Sequence, residues 1–343
     1  MYSEADLDAA VSAGVLSPEG AAAFRSFVAG QRASSPADEE HFRLLTGFND
    51  IFVSIALLLT LFALNWVAKA ASPWAGSFAM AAASWGLGEY FTRRRRMALP
   101  SIVLFLTFCG SLFFGLLMLL ATPGAHPTTT AAALALTAGG AYLHWRRFMV
   151  PITLAAGAAV TVGAVAMLAA GAVPDIKQLP AVLFLLGGFA VFALAMYWDV
   201  SDPERKTRRS DVGFWLHLAA APMIVHPAFS LLGLSGIGFL FAPAAAQQTP
   251  PDLGAAIIAI VLYLALAAVA LIVDRRALLV SALAYVLYAL TTLFKASSLN
   301  MSAAMTCLLI GSALLLLSAL WHRARQGLLG LLPVGLRSRL PRP

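Results

Sequence analysis

The residues of this chain that could carry chemistry are few, and the densest set lies in an apolar stretch at 212–232: His217, Pro222, His226 and Pro227. Imidazole titrates near neutrality, so a histidine at membrane depth can relay a proton or line a solute path. Each proline lacks an N–H and frees the carbonyl four residues earlier, at Leu218 and Met223. In hydrocarbon those carbonyls need another partner, either water in a cavity or polar side chains from neighbouring helices. The pattern predicts a kinked helix and a candidate pathway past residues 217–227, with Asn65 at a compatible outer depth. The two histidines are nine residues apart, which at ~100° per residue places them ~180° apart on a straight helix. That spacing argues against a two-histidine metal site within the segment. Either one histidine lines the path while the other packs or hydrogen-bonds, or both are structural.

The remaining polar positions read as interfacial. Glu89 is four residues before Arg93 and predicts an ion pair at a helix end. Asn49 and Asp50 stand where an apolar run begins, as helix caps or as a headgroup or partner contact. His41, His126, His144 and His322 fall at interfaces or loops and are expected to be solvated. No carboxylate lies near the middle of an apolar run, so a permease would have histidine as its means of coupling to an ion gradient. Cys109 and Cys307 sit inside apolar runs as packing residues. There is no GxxxxGK[ST] phosphate loop, no HExxH and no GxSxG. The expectation is a protein without enzymatic activity, cofactor or metal.

The elements that must position these residues follow from composition. The chain has 343 residues, 60% apolar and 11% charged. An ordinary soluble domain has about 25% charged residues, which excludes a water-soluble globular enzyme. The +7 net charge does not indicate nucleic acid, because the cations are scattered in short clusters between apolar runs. A span needs about 20 largely apolar residues, and ten runs qualify: 50–68, 74–91, 99–121, 128–144, 150–171, 179–198, 212–232, 254–273, 277–293 and 302–321. The runs are continuous, which excludes a β-barrel. The expected fold is an all-α polytopic transmembrane helix bundle over 48–322. It is preceded by a soluble region at 1–47 and followed by a basic tail at 323–343.

With ten spans, 20 of the 23 basic residues fall on the side that holds both termini. The positive-inside rule makes that side cytoplasmic; 19 arginines against 4 lysines and the frequent alanine fit a GC-rich bacterial gene, so the expected membrane is a bacterial inner membrane. Arginine pairs recur at Arg95-Arg96, Arg146-Arg147, Arg208-Arg209 and Arg275-Arg276. They suggest four helical hairpins with one extra span at each end; the alternative is that charge selection alone fills every inner turn. The apolar segment Gly236–Pro243 reads as re-entrant, or as a loop over the bundle mouth. Small residues Ala131, Ala135 and Gly139, and Ala155, Ala159 and Gly163, form faces for close helix packing, within the chain or in a homo-oligomer.

The amino terminus reads as a helical hairpin. Leu7, Ala10 and Val11 form one stripe, and Phe24, Phe27 and Val28 another. Gly14 ends the first helix, Ser17-Pro18-Glu19 starts the second, and Gln31 to Pro36 is a linker. The run Leu7-Asp8-Ala9-Ala10-Val11-Ser12-Ala13-Gly14-Val15-Leu16-Ser17-Pro18-Glu19, followed by a polar linker and many spans, resembles a bacterial family of multi-pass membrane proteins. Its members begin with such a hairpin and have no assigned activity. The resemblance implies an architecture and no catalytic residue. Two functions remain open. One is a permease or channel-like transporter of a small or amphipathic solute. The other is a membrane scaffold or sensor whose hairpin binds a cytoplasmic protein.

Overall fold

The computed structural model of the protein describes residues 4–34, 48–120, 126–202, 207–231, 253–276 and 302–333, with isolated positions between 278 and 290 and at 335. Two units are distinguished, Met1–Leu44 and Leu45–Pro343.

In the first unit, helix α1 spans Glu4–Ser12 and α2 spans Pro18–Ser34. Gly14 has φ +70°, and the amides of Gly14 and Val15 donate to the carbonyls of Val11 and Ala10. This is a left-handed helix stop that a Cβ would strain. The Ser17 hydroxyl accepts the Gly20 amide at 3.0 Å and so caps α2. Arg25 bonds Asp8 across the hairpin at 2.8 Å. The stretch Gln31–Ser34, expected as linker, is the last turn of α2 instead. Alanine, arginine and glutamine there favour helix, and no breaker precedes Pro36. The acidic opening at Asp38–Glu40 lies outside the described residues.

The second unit contains α3 (Phe48–Ala68), α4 (Pro73–Gly88), a π-helical segment (Glu89–Arg94), α5 (Ala98–Leu120), α6 (Pro127–Phe148) and α7 (Ile152–Ala172). It continues with α8 (Leu179–Val200), α9 (Arg208–Leu231), α10 (Leu253–Val273), α11 (Ser302–Ala319) and α12 (Trp321–Gly330). Among the described residues there is no strand. Among the described residues, six helices are long and apolar enough to cross a membrane: α3, α5, α7, α8, α9 and α10. Together α11 and α12, bent by 74°, would make a seventh. A multi-pass membrane bundle is therefore supported, with six or seven of the ten expected spans found among the described residues. Helix α4 has only 16 residues. Helix α6 is diluted by Thr128, Thr129, Thr130, Arg146 and Arg147. The run 277–293 falls largely outside the described residues, as does Gly236–Pro243. Part of the expected basic tail is helical, in α12.

The most extensive helix contacts are α8 with α9, α6 with α7 and α4 with α5. These are hairpins across arginine-bearing turns. Helix α9 is the most enclosed: 56% of its apolar window is buried, against 17–33% in the other five candidate spans. At the other extreme, α3 leaves Phe52, Ile55, Leu59, Phe62 and Trp66 exposed at i, i+3, i+4 spacing. That stripe suits a hydrocarbon solvent. Small residues set the close approaches, and on the expected face of α6 only Ala131 is buried within the chain. Ala135 and Gly139 are exposed, and Ala133, Thr137 and Ala141 pack.

Among the described residues, the non-glycine positions with positive φ are Arg96, Met149 and Asp274, at 54°, 55° and 59°. All three lie at arginine turns, but at different offsets. Arg96 is the second arginine of its pair, Met149 follows its pair by two, and Asp274 precedes its pair. A copied turn would keep the offset.

Candidate functional site

The least expected arrangement is at the end of α8. Asp199, Arg275 and His217 are 3%, 1% and 0% exposed, and they come from three helices. Asp199 is in the last turn of α8. His217 lies two turns into α9, on one stripe with Ser210 and Gly213 at i, i+3 and i+7 spacing. Arg275 follows the end of α10. His217 Nε2 is 2.9 Å from Asp199 Oδ2. Arg275 Nε donates to the same oxygen at 3.1 Å, and its Nη2 donates to Oδ1. The same Nη2 reaches the Ser210 carbonyl at 3.3 Å. The guanidinium is thus bidentate on the carboxylate, the arrangement its fork favours. An ionised carboxylate only accepts, so His217 must carry its proton on Nε2.

Local sequence explains the fit. Gly213 is where a Cβ would run into Asp199 Oδ1, so glycine admits the carboxylate to the face of α9. Phe192 sets its ring edge-on to His217, with centroids 5.2 Å apart. At the end of α10, the amides of Asp274 and Arg275 donate to the carbonyls of Leu271 and Ala270. This stop, with Asp274 in the left-handed position, turns two neighbouring side chains to different partners. Arg275 enters the α8–α9 hairpin. Asp274 Oδ1 accepts from Trp321 Nε1 at 2.8 Å, and Arg325 Nη1 lies 3.8 Å from its Oδ2. Arg325, 1% exposed, also caps the Leu271 carbonyl at 3.1 Å. Arg276 stands 4.9 Å above the Trp321 ring. Arg275, expected in an inner turn, and Arg325, expected in the basic tail, are thus buried and paired.

The residues singled out in the sequence are dispersed. His217 joins the charge centre. Pro227 is buried, whereas Pro222 and His226 are exposed. Helix α9 runs from Arg208 to Leu231 through both prolines. Gly188 of α8 explains part of this. A Cβ there would lie 2.9 Å from the Met223 carbonyl oxygen, so α8 closes over the acceptor that Pro227 releases. Asn65 packs at Gly76 of α4 instead of at α9: a Cβ on Gly76 would lie 2.6 Å from Asn65 Oδ1. Asn49 and Asp50 fall inside the first turn of α3, not before it. Asp50 is buried there, and its charge favours the positive helix end.

Glu89 makes its main bond elsewhere than expected. Arg147 Nε and Nη2 donate to its two oxygens at 2.6 and 2.9 Å, while Arg93 is at 3.4 Å. His144 is not solvated. It is 3% exposed and enclosed by Trp85, Phe105, Phe108 and Phe148 at 4.5–5.7 Å between centroids. Its Nδ1 is 3.4 Å from Thr153 Oγ1.

Asp199 is the candidate group that the sequence hid. It closes an apolar run, where hydropathy reads a loop, and Arg275 lies 76 positions away. The available signal was the Ser210–Gly213–His217 stripe, small and polar on one face of an apolar helix. No protein-family model, no curated protein and no solved structure matches the chain.

Proposed function

We propose that the bundle is a permease for a small or amphipathic solute and that Asp199, His217 and Arg275 form its coupling centre. The buried Asp199 carboxylate carries this reading. Ionisable groups between membrane helices are costly and mark ion or proton paths. Here one carboxylate oxygen is shared by an imidazole and a guanidinium. Protonating His217 would add a positive charge beside the Asp199–Arg275 pair and weaken the hold of Arg275 on the carboxylate. That would loosen α10 from the α8–α9 hairpin. The ten-span topology with both termini in the cytoplasm belongs to the same reading and rests on the arginine distribution.

The test is proton movement in vesicles containing the purified protein and a trapped pH dye. The added solutes are short monocarboxylates, neutral sugars and lipophilic cations. Solute-dependent pH change in the wild type, lost in Asp199→Asn with the protein still monodisperse, is the expected result. A wild type that moves no proton with any of these solutes favours the second reading, a membrane scaffold. The unbroken α9 and the separate amino-terminal hairpin favour that alternative, in which the hairpin binds a protein partner.

A further inference from the structure

A second feature, independent of the coupling centre, lies where α4 ends. After Gly88 the helix widens to a π turn over Glu89–Arg94. The Arg95 amide donates to the Tyr90 carbonyl and the Met97 amide to the Phe91 carbonyl. Arg96 reverses the chain with φ 54°, and Met97 is buried behind it. π turns of this kind occur often at functional sites. Here Gly86, Glu89, Tyr90, Arg93 and Arg94 line a cavity of about 380 Å³.

The charges around it do not balance. Glu89 is the one carboxylate in the lining, and it is taken by Arg147 through two bonds, with Arg93 beside it. Arg95 lies 5.7 Å over the Tyr90 ring. Arg94 and Arg96 have no acidic partner among the described residues. Arg93, Arg94, Arg95 and Arg96 are all exposed. The scaffold under them is firm. The Phe148 ring covers Gly88, where a Cβ would come within 3.2 Å, and Arg147 grips Glu89 next to it. Two consecutive residues of α6 thus hold two consecutive residues at the end of α4.

We propose that this cavity binds the phosphate of an anionic phospholipid headgroup. Guanidinium forks match phosphate oxygens in pairs. Basic pockets between membrane helices suit anionic headgroups. The volume falls within the range of small-molecule sites and exceeds what a bare phosphate needs. Tyr90, 44% exposed, brings an aromatic ring with a polar tip to the same rim, as interfacial tyrosines do. The lipid source is favoured over free phosphate because Gly86, in the apolar α4, and the Tyr90 side chain line the same cavity as the arginines.

Gly86 allows a clean test, because nothing lies within 4 Å of where its Cβ would be. Gly86→Phe therefore fills the cavity and keeps every charge. The full-length protein, stripped of lipid in neutral detergent, is titrated with phosphatidylglycerol or phosphatidylcholine. Bound lipid is counted by native mass spectrometry and melting is followed in parallel. The expected result is preferential phosphatidylglycerol binding, weakened tenfold or more by Gly86→Phe and by Arg93→Gln/Arg94→Gln. Arg337→Gln/Arg339→Gln, which removes equal charge elsewhere, should bind as the wild type does. Equal binding of the two lipids overturns the proposal. So does wild-type affinity in a folded Gly86→Phe variant, or an equal loss in Arg337→Gln/Arg339→Gln, since either means diffuse attraction. Inorganic phosphate that displaces the lipid at matched concentration overturns the lipid as the ligand.

Discussion

At the scale of single residues, Asp199 decides most. Breaking a buried ion pair by removing one partner costs about 3–5 kcal/mol, because the other charge stays buried alone. Asp199→Asn should lower the melting temperature in detergent markedly. Asp199→Asn/Arg275→Met should recover much of that loss, since a buried pair replaced by an apolar packing partner is often neutral. A double variant no better than the single one would show that Asp199 acts through something other than the charge of Arg275. His217→Ala should cost less, about 1.5–3 kcal/mol for a lost hydrogen bond to a charged group, measured in the same melting assay. His217 was legible from its type and depth. Asp199 was not, because periodicity reports neighbours within a few turns and says nothing of a cation on a different hairpin. His144 misled for the opposite reason. Its sequence neighbours Trp145, Arg146 and Arg147 suggest an interface, yet the rings that enclose it come from α4, α5 and its own last turn.

At the scale of elements, helix starts were readable. Pro73 and Pro127 stand at the first helical position, where a missing N–H costs nothing, and Gly14 and Ser17 mark the hairpin turn. The interior prolines of α9 lie within a continuous helix, and the sequence of α9 does not show that Gly188 of α8 will cover the Met223 carbonyl. Gly188→Ala tests this. Its Cβ would sit 2.8 Å from the Met223 carbonyl carbon, so the two helices must part. Overpacking of this kind costs about 1–3 kcal/mol. Thermal melting should register it, and an unchanged melting temperature would mean that α8 and α9 slide freely. The different offsets of Arg96, Met149 and Asp274 bear on the repeat. The hairpins share charge and packing, while each turn finds its own left-handed residue, as expected where charge placement alone recurs.

At the scale of the whole chain, the class of the protein was legible, and six or seven of the ten expected crossings stand among the described residues. Hydropathy sums tolerate Thr128–Thr130 inside a run, and a bilayer does so only if neighbouring helices supply partners. A cysteine at 126, with Cys109 and Cys307 replaced by alanine, checks the topology. Membrane-impermeant maleimide should label it from outside, and labelling only after the membrane is opened would refute the arrangement. The separation of Asp199 from Arg275 also has a consequence for biosynthesis. Ribosomes add roughly 5–20 residues per second, so the 76 residues between them correspond to about 4–15 s. For that time Asp199 has been made and its cation has not. Until Arg275 emerges, the growing polypeptide carries a carboxylate that quality-control proteases can recognise as unfinished work. Chains stalled at residue 274 should therefore be cleared faster than chains stalled at residue 300, and Asp199→Asn should abolish the difference.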